Sequence, residues 1–311
     1  MGEKKKIVVL CGPTASGKTE LAFALCRRFN GELVGADSMQ LYEGLPIGTA
    51  APLPTKSPDV PRHLIGFLPP SQPFSVAEYV QQAEKTIFEI LSRGRLPLFC
   101  GGTGLYIDSL VNGVRFTESK VDESTLTRLD EQWSEKGADA MLGRLAELDP
   151  EYASRLHPSD KKRIVRALAE SETGGTTLAQ RNEASRRQPP RYQSLQLALT
   201  CAERKVLYGR IEARIDQMLE NGLLEEAKRV FEHRESYKTA VQAIGYKEFF
   251  PFFEGHASLE SCTDKLKQAT RNYAKRQLTW FRNKPGIQWL YADKEDVFER
   301  AAGFLETFLR E

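Results

Sequence analysis

The 311-residue sequence predicts an α/β fold: a P-loop parallel sheet core flanked by helices, with an all-helical insertion domain. Three observations carry this. The strand-length apolar run Ile7-Val8-Val9-Leu10 leads into Gly12-Pro13-Thr14-Ala15-Ser16-Gly17-Lys18-Thr19, the spacing of a phosphate-binding loop, and then into a helix over residues 20–28. Short apolar strands and amphipathic helices alternate through the first hundred or so residues, the rhythm of a parallel sheet. From about residue 117 to 193 the pattern changes to strongly charged amphipathic helices.

In order along the chain, a second strand over residues 33–36 ends at Asp37-Ser38, and a Pro-rich connection follows over residues 46–73. Val76, Tyr79, Val80, Ala83, Ile87, Ile90 and Leu91 form one stripe at helical spacing, so residues 76–93 read as a helix. The third strand, residues 96–100, runs into Gly101-Gly102-Thr103-Gly104. The insertion takes residues 117–195, with helices near 125–135 and 160–172; Gly174-Gly175 and the polar tract 181–191 predict a flexible exit. The core, residues 1–116 and 196–311, resumes with a strand near 194–199, a long helix over 202–231 bending near Asn221-Gly222, and a helix over 269–282. Ligands of such sheets sit at the carboxyl ends of the strands, where the phosphate loop, Asp37 and Thr103 are expected to converge.

No apolar run approaches the length a bilayer requires, which argues against membrane insertion or export. The cysteines, Cys11, Cys26, Cys100, Cys201 and Cys262, are odd in number and never form C-x-x-C; they suit small buried residues in a reducing cytoplasm. The four histidines are scattered without ligand spacing. A net charge of +2 is too small to announce a nucleic-acid binder, but its distribution is uneven. Residues 118–155 hold ten acids against five bases, whereas 265–284 hold seven bases and no acid, with Tyr273 and Trp280 interleaved. There Arg271, Lys275 and Arg282, at i, i+4 and i+11, keep to one helical face, a pattern that fits RNA phosphates better than a merely solvated surface.

In a phosphate loop the glycines let backbone N–H groups curl around phosphate oxygens, Lys18 adds a positive charge, and Thr19 offers a hydroxyl to Mg2+. A diphosphate or triphosphate belongs here, though the motif does not say which ester. A carboxylate such as Asp37, at a strand end beside this loop, suits either a Mg2+ ligand or a base acting on a second substrate.

The neighbouring segments bear on that choice. Gly35-Ala36-Asp37-Ser38-Met39-Gln40-Leu41-Tyr42, Gly48-Thr49-Ala50, Gly101 to Ile107, Leu156 to Leu168, Arg210 to Met218, Ala243-Ile244-Gly245-Tyr246-Lys247-Glu248 and Thr270 to Arg282, together with the phosphate loop, resemble the bacterial type of the tRNA dimethylallyltransferase family. The resemblance runs in the family's order over nearly the whole length. It implies transfer of a dimethylallyl group from dimethylallyl diphosphate to the exocyclic amine of the adenosine just 3′ of a tRNA anticodon, without ATP. The loop Gly12 to Thr19 would then bind the diphosphate, with Mg2+ at Thr19 and with Arg214, joined by Arg210, clamping the leaving pyrophosphate. Asp37 would be the general base for the weakly nucleophilic amine, Thr103 would meet the same amine, and Ser38, Met39 and Gln40 would help hold the adenine. The implied contacts to the tRNA anticodon stem-loop are Lys162, Arg163, Ile164, Val165 and Arg166 on the insertion, then Gly245, Tyr246, Arg271, Lys275 and Arg282. A cytoplasmic monomer is implied. Ala51 departs from the family's usual lysine, and Arg62 and Gly66 from a second histidine and an aspartate around His63. Adenylate isopentenyltransferases that modify free adenine nucleotides, P-loop nucleotide kinases and a non-enzymatic RNA-binding module are the rival readings; the insertion and the basic C-terminal helix favour tRNA.

Overall fold

A computed structural model describes residues 4–113, 121–174, 177 and 190–311. The chain divides into two compact units, residues 112–190 and the remainder.

The larger unit is built on six strands: β1 (Lys5–Cys11), β2 (Gly31–Gly35), β3 (Arg62–His63), β4 (Leu96–Cys100), β5 (Tyr192–Thr200) and β6 (Gln288–Tyr291). They lie in the order β3-β2-β4-β1-β5-β6, and every pairing is parallel. A parallel sheet is covered on both faces, which is why β1 reads as an unbroken apolar run. Its side chains alternate: Ile7, Val9 and Cys11 enter one buried cluster and Val8 and Leu10 the other. The first three helices are α1 (Lys18–Arg28), α2 (Val76–Ser92) and α3 (Gly104–Val111). Ser75 and Glu78 close a reciprocal capping box at the start of α2, which therefore begins where the apolar stripe does.

The smaller unit is helical, with α4 (Glu123–Leu148), α5 (Pro150–Ala153) and α6 (Lys161–Gly174). Asp122 caps α4 by accepting from the Thr125 N–H at 2.7 Å, and Gly137 breaks it with φ 81°. Leu129, Met141, Leu145, Ile164 and Leu168 form its core. Gly175 and the exit tract 181–189 lie outside the described residues.

The larger unit then continues with α7 (Arg204–Glu220), α8 (Leu223–Glu232), α9 (Phe250–Phe253), α10 (Leu259–Arg282) and, after β6, α11 (Val297–Arg310). The expected bend near Asn221-Gly222 is a full break, because Gly222 sits at φ 96° and starts α8 as its N-cap. β5 takes in Tyr192 to Leu195, which the domain boundary at 195 assigned to the insertion. The elements unread in the sequence include β3, β6, α3, α5, α9, α11, the second half of α4 and the first two turns and more of α10. All five cysteines are buried and unpaired, as expected, and burial pushes the Cys11 and Cys100 thiols up to about 12, which leaves them unreactive.

One buried carboxylate organises the wall beside the sheet's carboxyl end. Glu226 is 1% exposed and accepts from the Gly48 N–H at 2.7 Å, the Ile47 N–H at 3.1 Å and the Tyr246 hydroxyl at 2.8 Å. Gly48 has to be glycine, since a Cβ there would come within 2.4 Å of the Tyr246 ring. Replacing Glu226 by alanine removes the acceptor of two part-buried N–H groups and leaves the Tyr246 hydroxyl only Leu45 O at 3.3 Å, so Glu226→Ala should lose about 2 kcal/mol in denaturant unfolding while Glu226→Gln loses less.

Candidate active site

The carboxyl ends of three adjacent strands meet, as the strand order requires. β1 delivers the phosphate loop, β2 delivers Asp37 and β4 delivers Gly101 to Thr103. The crossings between them are backbone hydrogen bonds: Ala36 N–H to Cys100 O at 2.9 Å, Gly101 N–H to Leu10 O at 3.2 Å and Thr103 N–H to Ala36 O at 3.2 Å. This packing needs Gly101, where a Cβ would lie 2.1 Å from Ala36 O. The three loops line one cleft of about 1260 Å³, completed by residues 46–53 and parts of α7 and α10.

In the phosphate loop, Gly12 at φ 133° could not carry a side chain, because a Cβ would meet Leu199 O at 2.3 Å. Ala15 adopts φ 62° and Gly17 φ 94°, the turn that brings the loop into the N-terminus of α1. An N-terminal helix end beside curled backbone amides is an anion site. The Lys18 ammonium donates to Pro13 O at 2.6 Å, and burial lowers its pKa while the Asp37 carboxylate pulls the other way. Arg214 reaches the loop from α7, its Nη1 at 3.4 Å from Thr14 Oγ1, and burial lowers its pKa too. Two half-buried cations beside a loop of amides form an electropositive floor. Arg210, one turn earlier, is exposed at the rim of the same cleft.

Asp37 faces this floor. Its Oδ1 accepts from the Met39 N–H at 3.0 Å, fixing the carboxylate at the start of a turn. Burial raises its pKa, against the pull of the Met39 N–H and the Lys18 charge. A carboxylate so raised is a better proton acceptor. Thr103 Oγ1 accepts from the Ser38 N–H at 2.9 Å and donates towards Ser38 Oγ at 3.3 Å, so this hydroxyl ties the β4 loop to the Asp37 loop. The Gln40 amide donates to Thr49 O and Ala50 O at 3.1 and 3.2 Å, anchoring the cleft wall. The neighbouring strap, residues 52–57, is gathered around Arg62, whose guanidinium donates to the carbonyls of Pro52, Leu53, Pro54, Lys56 and Ser57.

For a magnesium ion the donor set fits. Ser16 Oγ is buried with no hydrogen-bond partner among the described residues, and it lies in the loop that also carries the Thr19 hydroxyl. Hard oxygen donors of this kind, few in number and supplemented by substrate phosphates, are how Mg2+ is usually held.

Several expected contacts need correction. Tyr246 is 0% exposed, with its hydroxyl committed to Glu226, so it is a core residue and not an RNA contact. Gly245 is buried as well, although it borders the cleft. Ile164 and Val165 are buried in the core of the helical unit, because α6 turns its apolar face inward there, and their side chains are withdrawn from any ligand. Lys162, Arg163 and Arg166 on the other face are exposed, with Arg166 paired to Glu170 at 2.9 Å. On α10, Arg271 pairs with Glu212 and Lys267 with Asp216, both at 2.7 Å, so acids of α7 offset part of the basic run. Lys275 and Arg282 are exposed and make no ion pair among the described residues.

Two contributors escaped the sequence reading. Gln277, 5% exposed, accepts from the Thr14 N–H and donates to Gly102 O, both at 2.9 Å. Tyr273, one turn earlier, places its hydroxyl beside the side chains of Thr103 and Gln277. Both stand four residues apart on the inner face of α10, a spacing visible in the sequence, but their partners come from distant loops.

Residues 40–284 match the family model described as IPP transferase. The chain belongs to the IPP transferase family. Its relatives in this family include the tRNA dimethylallyltransferase of Bacillus velezensis, 41% identical over 98% of this chain and 99% of that protein, and that of Bacillus subtilis, 40% identical over 97% and 98%. Among solved structures, the full-length tRNA isopentenylpyrophosphate transferase from Bacillus halodurans superimposes with a TM-score of 0.72 at 38% identity, covering 99% of both chains. A eukaryotic dimethylallyltransferase described as acting on tRNA gives a TM-score of 0.85 at 29% identity, covering 98% of this chain and 80% of that one. The expected α/β fold is thus the fold of IPP transferases, and the chain is an enzyme of the prenyltransferase class.

Proposed function

We propose that the enzyme transfers the dimethylallyl group of dimethylallyl diphosphate to the N6 amine of the adenosine 3′ of a tRNA anticodon, acting as a monomer in the cytoplasm. The observation that carries this reading is the polarity of one cleft. Lys18, Arg214 and the amides of the phosphate loop line it together with a single carboxylate of raised pKa, Asp37.

The diphosphate oxygens bind the loop amides, because such a loop recognises oxygens and not the group attached to them. The allylic carbon tolerates positive charge, and Lys18 and Arg214 stabilise the charge that builds on pyrophosphate as the C–O bond breaks with its electron pair. The amine nitrogen forms the new C–N bond and gives its proton to Asp37. Mg2+, when bound by Thr19 and Ser16, supplies further neutralisation of the diphosphate. Extruding the target base from a single-stranded loop costs only a few kcal/mol, which phosphate contacts by Lys162, Arg163, Arg166, Lys275 and Arg282 would offset. Among the described residues no helix is long and apolar enough to cross a membrane, which accords with a tRNA substrate in solution.

The test is incubation with Mg2+, labelled dimethylallyl diphosphate and either unmodified tRNA or AMP. Label is expected in tRNA alone. Label in AMP would make the protein an adenylate isopentenyltransferase, and phosphoryl transfer from ATP to a small molecule would make it a kinase.

A further inference from the structure

We propose that Gln277 is a positioning residue that sets the separation between the electrophile and the nucleophile of this reaction; the inference rests on the reading given under Proposed function. The phosphate loop follows β1, and the Gly101-Gly102-Thr103 loop, which supports the Asp37 side, follows β4. A single carboxamide spans them: its oxygen accepts from the Thr14 N–H at 2.9 Å and its nitrogen donates to Gly102 O at 2.9 Å. Both bonds are made by one planar group, so the two loops cannot move apart by more than the slack of two hydrogen bonds. The fit is tight as well, since a Cβ on Gly102 would fall 2.0 Å from Gln277 Nε2.

The bridge is also isolated from solvent. Gln277 is almost wholly buried, and the Tyr273 hydroxyl lies beside both it and Thr103, which in turn holds the Ser38 N–H next to Asp37. Gln277 therefore joins the leaving-group half of the centre to the proton-acceptor half without belonging to either. Thr14 N–H is spent on this bond, which assigns it to shaping the loop. A residue of this kind acts on the geometry of attack more than on the affinity for either substrate, because reaction rates depend far more steeply on sub-ångström alignment than binding does.

The test uses single-turnover transfer with enzyme in excess over tRNA and saturating dimethylallyl diphosphate, where the rate constant does not depend on the fraction of enzyme that is folded. Alongside it, dissociation constants are measured for inorganic pyrophosphate and for an anticodon stem-loop. Gln277→Ala is expected to slow the transfer step roughly 10²-fold while both dissociation constants stay within about threefold of wild type. Gln277→Met keeps the length of the side chain and loses both hydrogen bonds, so it should be slow too. A wild-type transfer rate in Gln277→Met overturns the bridge, as does a loss in Gln277→Ala confined to pyrophosphate affinity. A wild-type enzyme that labels no tRNA overturns the proposed function instead, so the two failures are distinct.

Discussion

Asp37→Asn is expected to reduce transfer by about 10²- to 10⁴-fold, the range associated with loss of a general base, while leaving tRNA binding intact. The asparagine oxygen can still accept from the Met39 N–H, so the turn persists and only the proton acceptor disappears. The pH profile gives a second readout. Burial raises the Asp37 pKa, and the base must be ionised to act, so the acidic limb of kcat/KM in the wild type should fall above the ordinary aspartate value and vanish in the variant. The sign for stability runs opposite to that of a salt-bridged carboxylate. A raised folded-state pKa means that ionised Asp37 costs stability at every pH above that pKa, and the cost disappears below the unfolded value. Asp37→Asn should therefore show a higher Tm than wild type at neutral pH, a trade of stability for activity. A variant with near wild-type single-turnover rates would remove Asp37 from the role of base.

Lys18→Ala carries the other large effect. The ammonium is half-buried at the floor of the cleft, where a fixed positive charge counts for more than in water. Its loss should lower kcat/KM for dimethylallyl diphosphate by about 10³-fold, as for other groups aimed at developing charge in a dry site. Calorimetric titration should show weakened pyrophosphate binding with unchanged affinity for the anticodon stem-loop. Unchanged pyrophosphate affinity would mean that the diphosphate does not lie in the loop.

The parts legible in the sequence were those whose chemistry is local. Gly12 to Thr19 announce their loop because each residue's task is met by its neighbours, and Asp37 stands at a strand end that the apolar run foretells. The helix expected over residues 160–172 is observed as α6 because its apolar stripe lies within itself. β3 could not be read: two residues have no periodicity, and their place at the sheet edge is set by pairing with β2. Glu226 and Gln277 were invisible for a related reason. Their partners are backbone groups of loops far away in sequence, and such groups carry no residue signature. Tyr246 erred the other way, since its segment matched a family motif while the phenol was consumed by Glu226.

The pairing of β1 with β5 sets Lys5 beside Tyr192 and Cys11 beside Ala198, so the central strand of the sheet waits for a neighbour synthesised after the entire helical unit. During translation the order of assembly is thereby constrained. The helical unit draws on contacts within itself and is complete before β5 leaves the ribosome, whereas β1 keeps one flank of unpaired amides and carbonyls until then. Parallel pairing over so long a loop is slow, because closure entropy must be overcome before the contacts form. The emerging chain thus passes through a stage with an open strand edge, and a nascent product stalled before Tyr192 keeps that edge exposed.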